Sequence, residues 1–113
     1  MKEFLMIFRA PEMGDYQPSD AEMAETTKQW GEWIGGIAGG GNLVRTDQVG
    51  FDAKVVTSKG EVIDKHYDKA DEIVYGYMLM KANSSEEASQ IASKCPILYI
   101  NGQVEIRDIM IYD

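Results

Sequence analysis

Apolar residues near the start of the chain alternate between two faces, with Phe4, Met6 and Phe8 on one and Leu5 and Ile7 on the other. The compact run from Lys2 to Arg9, bounded by Pro11 and Gly14, predicts a strand. Past Tyr16 and Pro18, Ser19-Asp20-Ala21-Glu22 is a capping box, in which the serine hydroxyl accepts from the Glu22 amide while Glu22 reaches back. Met23, Trp30, Trp33, Ile34 and Ile37 then recur at helical spacing. Six glycines between positions 31 and 41 weaken the end of that helix, and Gly39-Gly40-Gly41 stops it. Phe51 to Thr57 reads as a strand, and Ser58-Lys59-Gly60 turns Glu61 to Ile63 back as a hairpin arm. Ile73 to Ala82 is the longest strand candidate. Ser84-Ser85-Glu86-Glu87 caps a second helix with a stripe of Ala88, Ile91, Ala92 and Cys95, ended by Pro96. Gln103 to Tyr112 predicts the last strand.

This β-α-β-β-α-β order predicts an α+β protein, a ferredoxin-like antiparallel sheet with two helices on one face, as a single domain over residues 1–113. Both faces of the terminal strands are apolar. In the last strand Val104, Ile106 and Met110 oppose Ile109 and Ile111. Two helices cover only one face, so the other is expected to meet a partner or enclose a pocket. Leu5, Ile7, Ile109 and Ile111 on that face predict a homodimer, because a monomer would leave four large aliphatics in water.

Composition narrows the classes. A chain of 113 residues that is 44% apolar fits one folded domain. Its net charge of −8, without clustered bases, argues against nucleic acid. One cysteine excludes an internal disulfide, and no Cys/His cluster forms a zinc site. Cys95 reads as a small buried apolar residue. The apolar stretch Phe4–Phe8 is too short for a signal-peptide core or for the roughly 20 residues of a membrane span, so the expectation is a cytoplasmic protein without membrane association.

His66 is the only imidazole, and Asp64 and Asp68 lie two residues to either side. On an extended segment these share a face, which suits a general base oriented by an acid. Against this stands a solvated charged loop, since Asp64 to Glu72 is DKHYDKADE. Metal binding by Asp-x-His-x-Asp lacks a second histidine. No cofactor is expected. Arg9, Glu105 and Arg107 are charges near the ends of apolar strands that neighbour each other in a ferredoxin-like sheet. They read either as an anion clamp at a pocket mouth or as a cross-strand Arg–Glu pair. Tyr75 and Tyr77 are expected to share a sheet face, as ligand-lining hydroxyls or as aromatics at the dimer contact. Trp30 and Trp33 read as core, and Gly39-Gly40-Gly41 as a helix terminator without the Lys-Ser/Thr of a phosphate loop.

Tyr75-Gly76-Tyr77-Met78-Leu79-Met80-Lys81-Ala82, Ser85-Glu86-Glu87-Ala88, Ile91-Ala92, Cys95-Pro96 and Gly102 through Met110 follow one another in an order that resembles the second half of the YCII-related family, in its DGPF branch. The Trp-bearing helix before a glycine-rich turn and Asn42-Leu43 is similar to the first half. One departure stands out: the Asp-Gly-Pro-Phe of that branch falls on Asp64-Lys65-His66-Tyr67, which keeps the acid and an aromatic but not the turn-favouring pair. The resemblance implies a subunit paired into a dimeric α+β barrel. Related members include a dehydrochlorinase-type enzyme using a His and Asp pair, and proteins that look like companions of sigma factors.

Two functional readings follow. The first is a small-molecule site between the barrel sheets, as a binder or as a cofactor-free lyase or isomerase, with His66 as base, Asp64 as its orienter and Arg9 or Arg107 as anion clamp. The second is a non-catalytic dimeric module that binds another protein.

Overall fold

A computed structural model describes residues 1–11, 18–66 and 73–110, without the side chains of Lys65 and His66. Strand β1 (Lys2–Ala10) is followed by helix α1 (Asp20–Gly39), β2 (Leu43–Gln48), β3 (Asp52–Val56), β4 (Val62–His66), β5 (Ile73–Ala82), helix α2 (Ser85–Ala92), a 3₁₀ turn (Pro96–Ile100) and β6 (Gln103–Asp108). The main sheet has the order β2-β5-β1-β6, with each neighbouring pair antiparallel. Chain and sheet make an α+β protein compatible with the ferredoxin-like expectation.

Alternation along β1 divides the sheet. Phe4, Met6, Phe8 and Ala10 are buried, while Leu5, Ile7 and Arg9 between them are half-covered. The buried set joins Met78, Met80 and Ala82 of β5, Ile37 of α1, Ala88 and Ala92 of α2, and Cys95 and Ile97 in one core. Three of its fully buried side chains are methionines, flexible enough to fill the irregular space under two helices. Trp30 and Trp33 close the edge of this core, as expected. Both meet Phe8 edge-on, at 5.3 and 5.8 Å between centroids, and Trp33 Nε1 donates to the Ile91 carbonyl at 3.0 Å, tying α1 to α2. The Ser19 capping box forms, and Ser84 caps α2. Helix α1 ends at the glycine run, where Gly41 takes φ +78°.

Two expectations change. The second strand of the main sheet is Leu43–Gln48, while Phe51–Thr57 and Glu61–Ile63 form the expected hairpin, as β3 and β4, but in a two-stranded sheet of their own. As an edge strand with a solvated face, β2 is polar from Arg45 to Gln48 and only Leu43 and Thr46 are half-covered, which leaves a weak hydrophobic signal. The last strand stops at Asp108, four residues short of the expected end. Ile109 still donates its N–H to the Glu3 carbonyl at 3.0 Å, and Ile111 and Tyr112 lie outside the described residues.

The molecule measures 46 × 39 × 18 Å. The short axis is the thickness of one sheet plus one helix layer, so among the described residues no further layer lies over the second sheet face.

Candidate functional site

The register lays out that second face as a grid. In one row Asp47, Tyr77, Ile7 and Glu105 stand side by side; in the next, Arg45, Leu79, Leu5 and Arg107. In these two rows Tyr77 and three aliphatic side chains occupy the middle strands, and charges occupy both edge strands.

At the β6 edge, Arg9 Nη1 donates to Glu105 Oε1, and Arg107 Nη1 stands 3.6 Å from Glu105 Oε2. The expected proximity of Arg9 to Glu105 is therefore present, one register step from direct opposition, since Arg9 pairs with Gln103. Two guanidinium groups share one carboxylate. Arg107 keeps a largely exposed side chain (69%) with donors left for an anion.

At the β2 edge, Tyr77 Oη donates to Asp47 Oδ2 at 2.6 Å, and Arg45 Nε donates to the same oxygen at 2.6 Å. Those two donors, the tyrosine hydroxyl first, hold the Asp47 carboxyl below the usual carboxylate range. The carboxylate in turn raises the Tyr77 phenol, chiefly by accepting its hydrogen bond, so the phenol keeps its proton. Arg45 and Asp47 were not candidates on sequence grounds. Their i, i+2 spacing is the available signal, masked by the run of four polar residues that makes Arg45 to Gln48 look like a loop.

Gly76 makes this edge possible. A Cβ there would lie 2.6 Å from the Asp47 carbonyl oxygen, so only glycine lets β2 approach β5 closely enough to bring Asp47 beside Tyr77.

Tyr75 and Tyr77 part company at a bulge, because Phe8 pairs with Gly76 while Arg9 pairs with Val74. Tyr77 stays on the open face. Tyr75 packs against the core, its ring edge-on to Phe51 at 5.6 Å between centroids and its hydroxyl 3.4 Å from the Pro11 carbonyl.

Asp64 lies on the β3–β4 hairpin with its side chain 82% exposed, and Lys54 Nζ pairs with its Oδ1 at 2.5 Å. His66 pairs in register with Asp52 at the base of the hairpin. The imidazole of His66 and both Tyr67 and Asp68 lie outside the described residues. Among the described residues no group of three or more His, Cys, Asp and Glu side chains could hold a metal ion. Cys95 is buried, and desolvation pushes its thiol up to about 12, as befits a core residue.

A cleft of about 410 Å3 opens between the start of β1 and the N-terminus of α2, lined by Lys2, Phe4, Ser84, Glu86, Ile106 and Asp108 among others. None of the residues singled out from the sequence as catalytic or ligand-binding lines it. No described helix is long and apolar enough to cross a membrane. No protein-family model matches the chain, and no curated protein is significantly similar to it.

Proposed function

We propose that the protein is a homodimeric small-molecule binder, in which two open sheet faces meet as an α+β barrel and the ligand lies between them. The observation that carries this reading is the composition of the open face. Leu5, Ile7 and Leu79 offer an apolar floor, and the Arg9–Glu105–Arg107 cluster beside it holds one more positive than negative charge. Such a surface suits a small organic anion, with its apolar body on the aliphatics and its carboxylate on the Arg107 fork. Tyr77 adds a hydroxyl at the opposite edge.

Binding fits the geometry better than catalysis. A general base needs an oriented, partly desolvated setting, whereas the Asp64 carboxylate is exposed and already taken by Lys54.

Titration of ¹⁵N-labelled protein with benzoate, a small aromatic carboxylate, tests the proposal. Saturable shifts at the amides of Ile7, Tyr77 and Glu105, weakened in Arg107→Ala, are expected. A response confined to surface lysines, identical in the variant, would overturn the ligand site.

A further inference from the structure

We propose that the outer edge of β6 pairs with the same edge of a second copy of this chain, antiparallel about a two-fold axis at Ile106, so that two sheets join into one. The contact runs along the rim of the sheet, in its plane, and does not rest on the face-to-face pairing proposed above.

The edge is open and regular. β6 is the last strand in the order β2-β5-β1-β6, and among the described residues no strand pairs with its outer side. Its pairing with β1 runs from Phe4–Asp108 to Arg9–Gln103 without a bulge, and its residues include neither proline nor lysine. Bulges, prolines and lysines are the usual means by which an edge strand is kept from pairing with another chain.

One bond fixes which main-chain groups this edge presents. Ile109 donates its N–H to the Glu3 carbonyl at 3.0 Å, which makes Glu3–Ile109 a hydrogen-bonded pair next to Phe4–Asp108 in the register. Bonded and non-bonded pairs alternate along an antiparallel ladder. Gln103, Glu105 and Arg107 therefore turn their main-chain N–H and C=O toward β1, and Val104, Ile106 and Asp108 turn theirs outward.

Charge then selects a second copy and a single register. With Ile106 opposite Ile106 of the second copy, Val104 stands opposite Asp108, and every outward residue both donates and accepts. The same register sets Glu105 of each chain directly opposite Arg107 of the other, at the non-hydrogen-bonded positions where side chains come closest. Slipping by two residues either way sets Glu105 against Glu105 or Arg107 against Arg107, which like charges disfavour. Glu105-Ile106-Arg107 is thus complementary to its own reversed copy.

The side chains are placed for this. Arg9 binds Oε1 of Glu105, while Oε2 has Arg107 Nη1 of its own chain only at 3.6 Å. Arg107 is largely exposed and reaches across the edge with some of its several donors, which leaves others for an anion on the open face. Ile106 is half-buried in one chain, and its counterpart covers the remainder. A contact one strand wide falls well short of the roughly 800 Å2 per partner of a stable interface, so it forms above micromolar concentration.

NMR on an equal mixture of labelled and unlabelled chains, from micromolar to millimolar protein, tests the edge. Concentration-dependent shifts of the Val104, Ile106 and Asp108 amides are expected, with intermolecular NOEs between the Hα protons of Glu105 and Arg107. Glu105→Arg and Arg107→Glu should each weaken the association about tenfold or more, because each sets like charges opposite one another. Mixing the two variants should restore it, which a folding defect would not. Ile7→Asp should leave the edge signals in place, separating this contact from the face pairing. Absence of the shifts at millimolar protein, or a mixture that associates no better than either variant alone, overturns the edge pairing.

Discussion

Tyr77 donates its hydroxyl proton to Asp47 across the β5–β2 pairing at 2.6 Å, on the sheet face that no described helix covers. The pair is solvent-accessible, so its value lies in position: it fixes an acceptor and an aromatic ring at one edge of an apolar floor. Tyr77→Phe removes the first of the two donors that hold the Asp47 carboxyl low, and its titration midpoint should rise. The linkage has a definite sign. A carboxyl whose folded value lies below its unfolded value of about 3.9 stabilises the fold above that pH, and the contribution is lost as pH falls through the folded value. Carbonyl-detected NMR of Asp47 against pH measures both, and an unchanged midpoint in Tyr77→Phe would contradict the assignment.

Gly76 should be the least tolerant position on that edge. Gly76→Ala puts a methyl 2.6 Å from the Asp47 carbonyl oxygen, backbone against which no rotamer offers escape. A loss of about 1–3 kcal/mol is expected from such overpacking, read by urea unfolding. Disturbed amide shifts should concentrate in β2. Full stability would mean that β2 moves away freely.

Cys95 should be chemically silent in the folded protein. Its sulfur is buried and burial holds the thiol protonated, with a pKa pushed up to about 12. At pH 8 Ellman's reagent should label it only after denaturation. Rapid native labelling would show that the core around α2 opens.

Legibility in the sequence followed the strength of burial. The strand over Lys2–Arg9, both capped helices and the strand over Ile73–Ala82 were readable because each buries one regular face, and Ser19 and Ser84 mark where the helices start. β2 was not readable, because an edge strand with charges at Arg45 and Asp47 looks like a loop. That one omission placed the hairpin in the sheet and concealed half of the open-face charge pattern. The Arg9–Glu105 contact was readable because strand adjacency alone brings the two together. The bulge that separates Tyr75 from Tyr77 has no mark in a period-two pattern, since it depends on how Val74 and Gly76 pair with β1.

Ile7 lies in the middle of the open face, between Tyr77 and Glu105, with its neighbour Leu5 one row away. Each aliphatic side chain taken out of water contributes about 1.5–3 kcal/mol, so a charge at Ile7 should undo the pairing of two copies. Sedimentation equilibrium at micromolar protein is the most direct measurement. A wild-type mass near twice the 12.7 kDa of one chain, falling to one chain or to aggregate in Ile7→Asp, is the predicted result. A wild-type mass of 12.7 kDa across the concentration range would contradict the dimer, and with it the ligand site placed between its sheets.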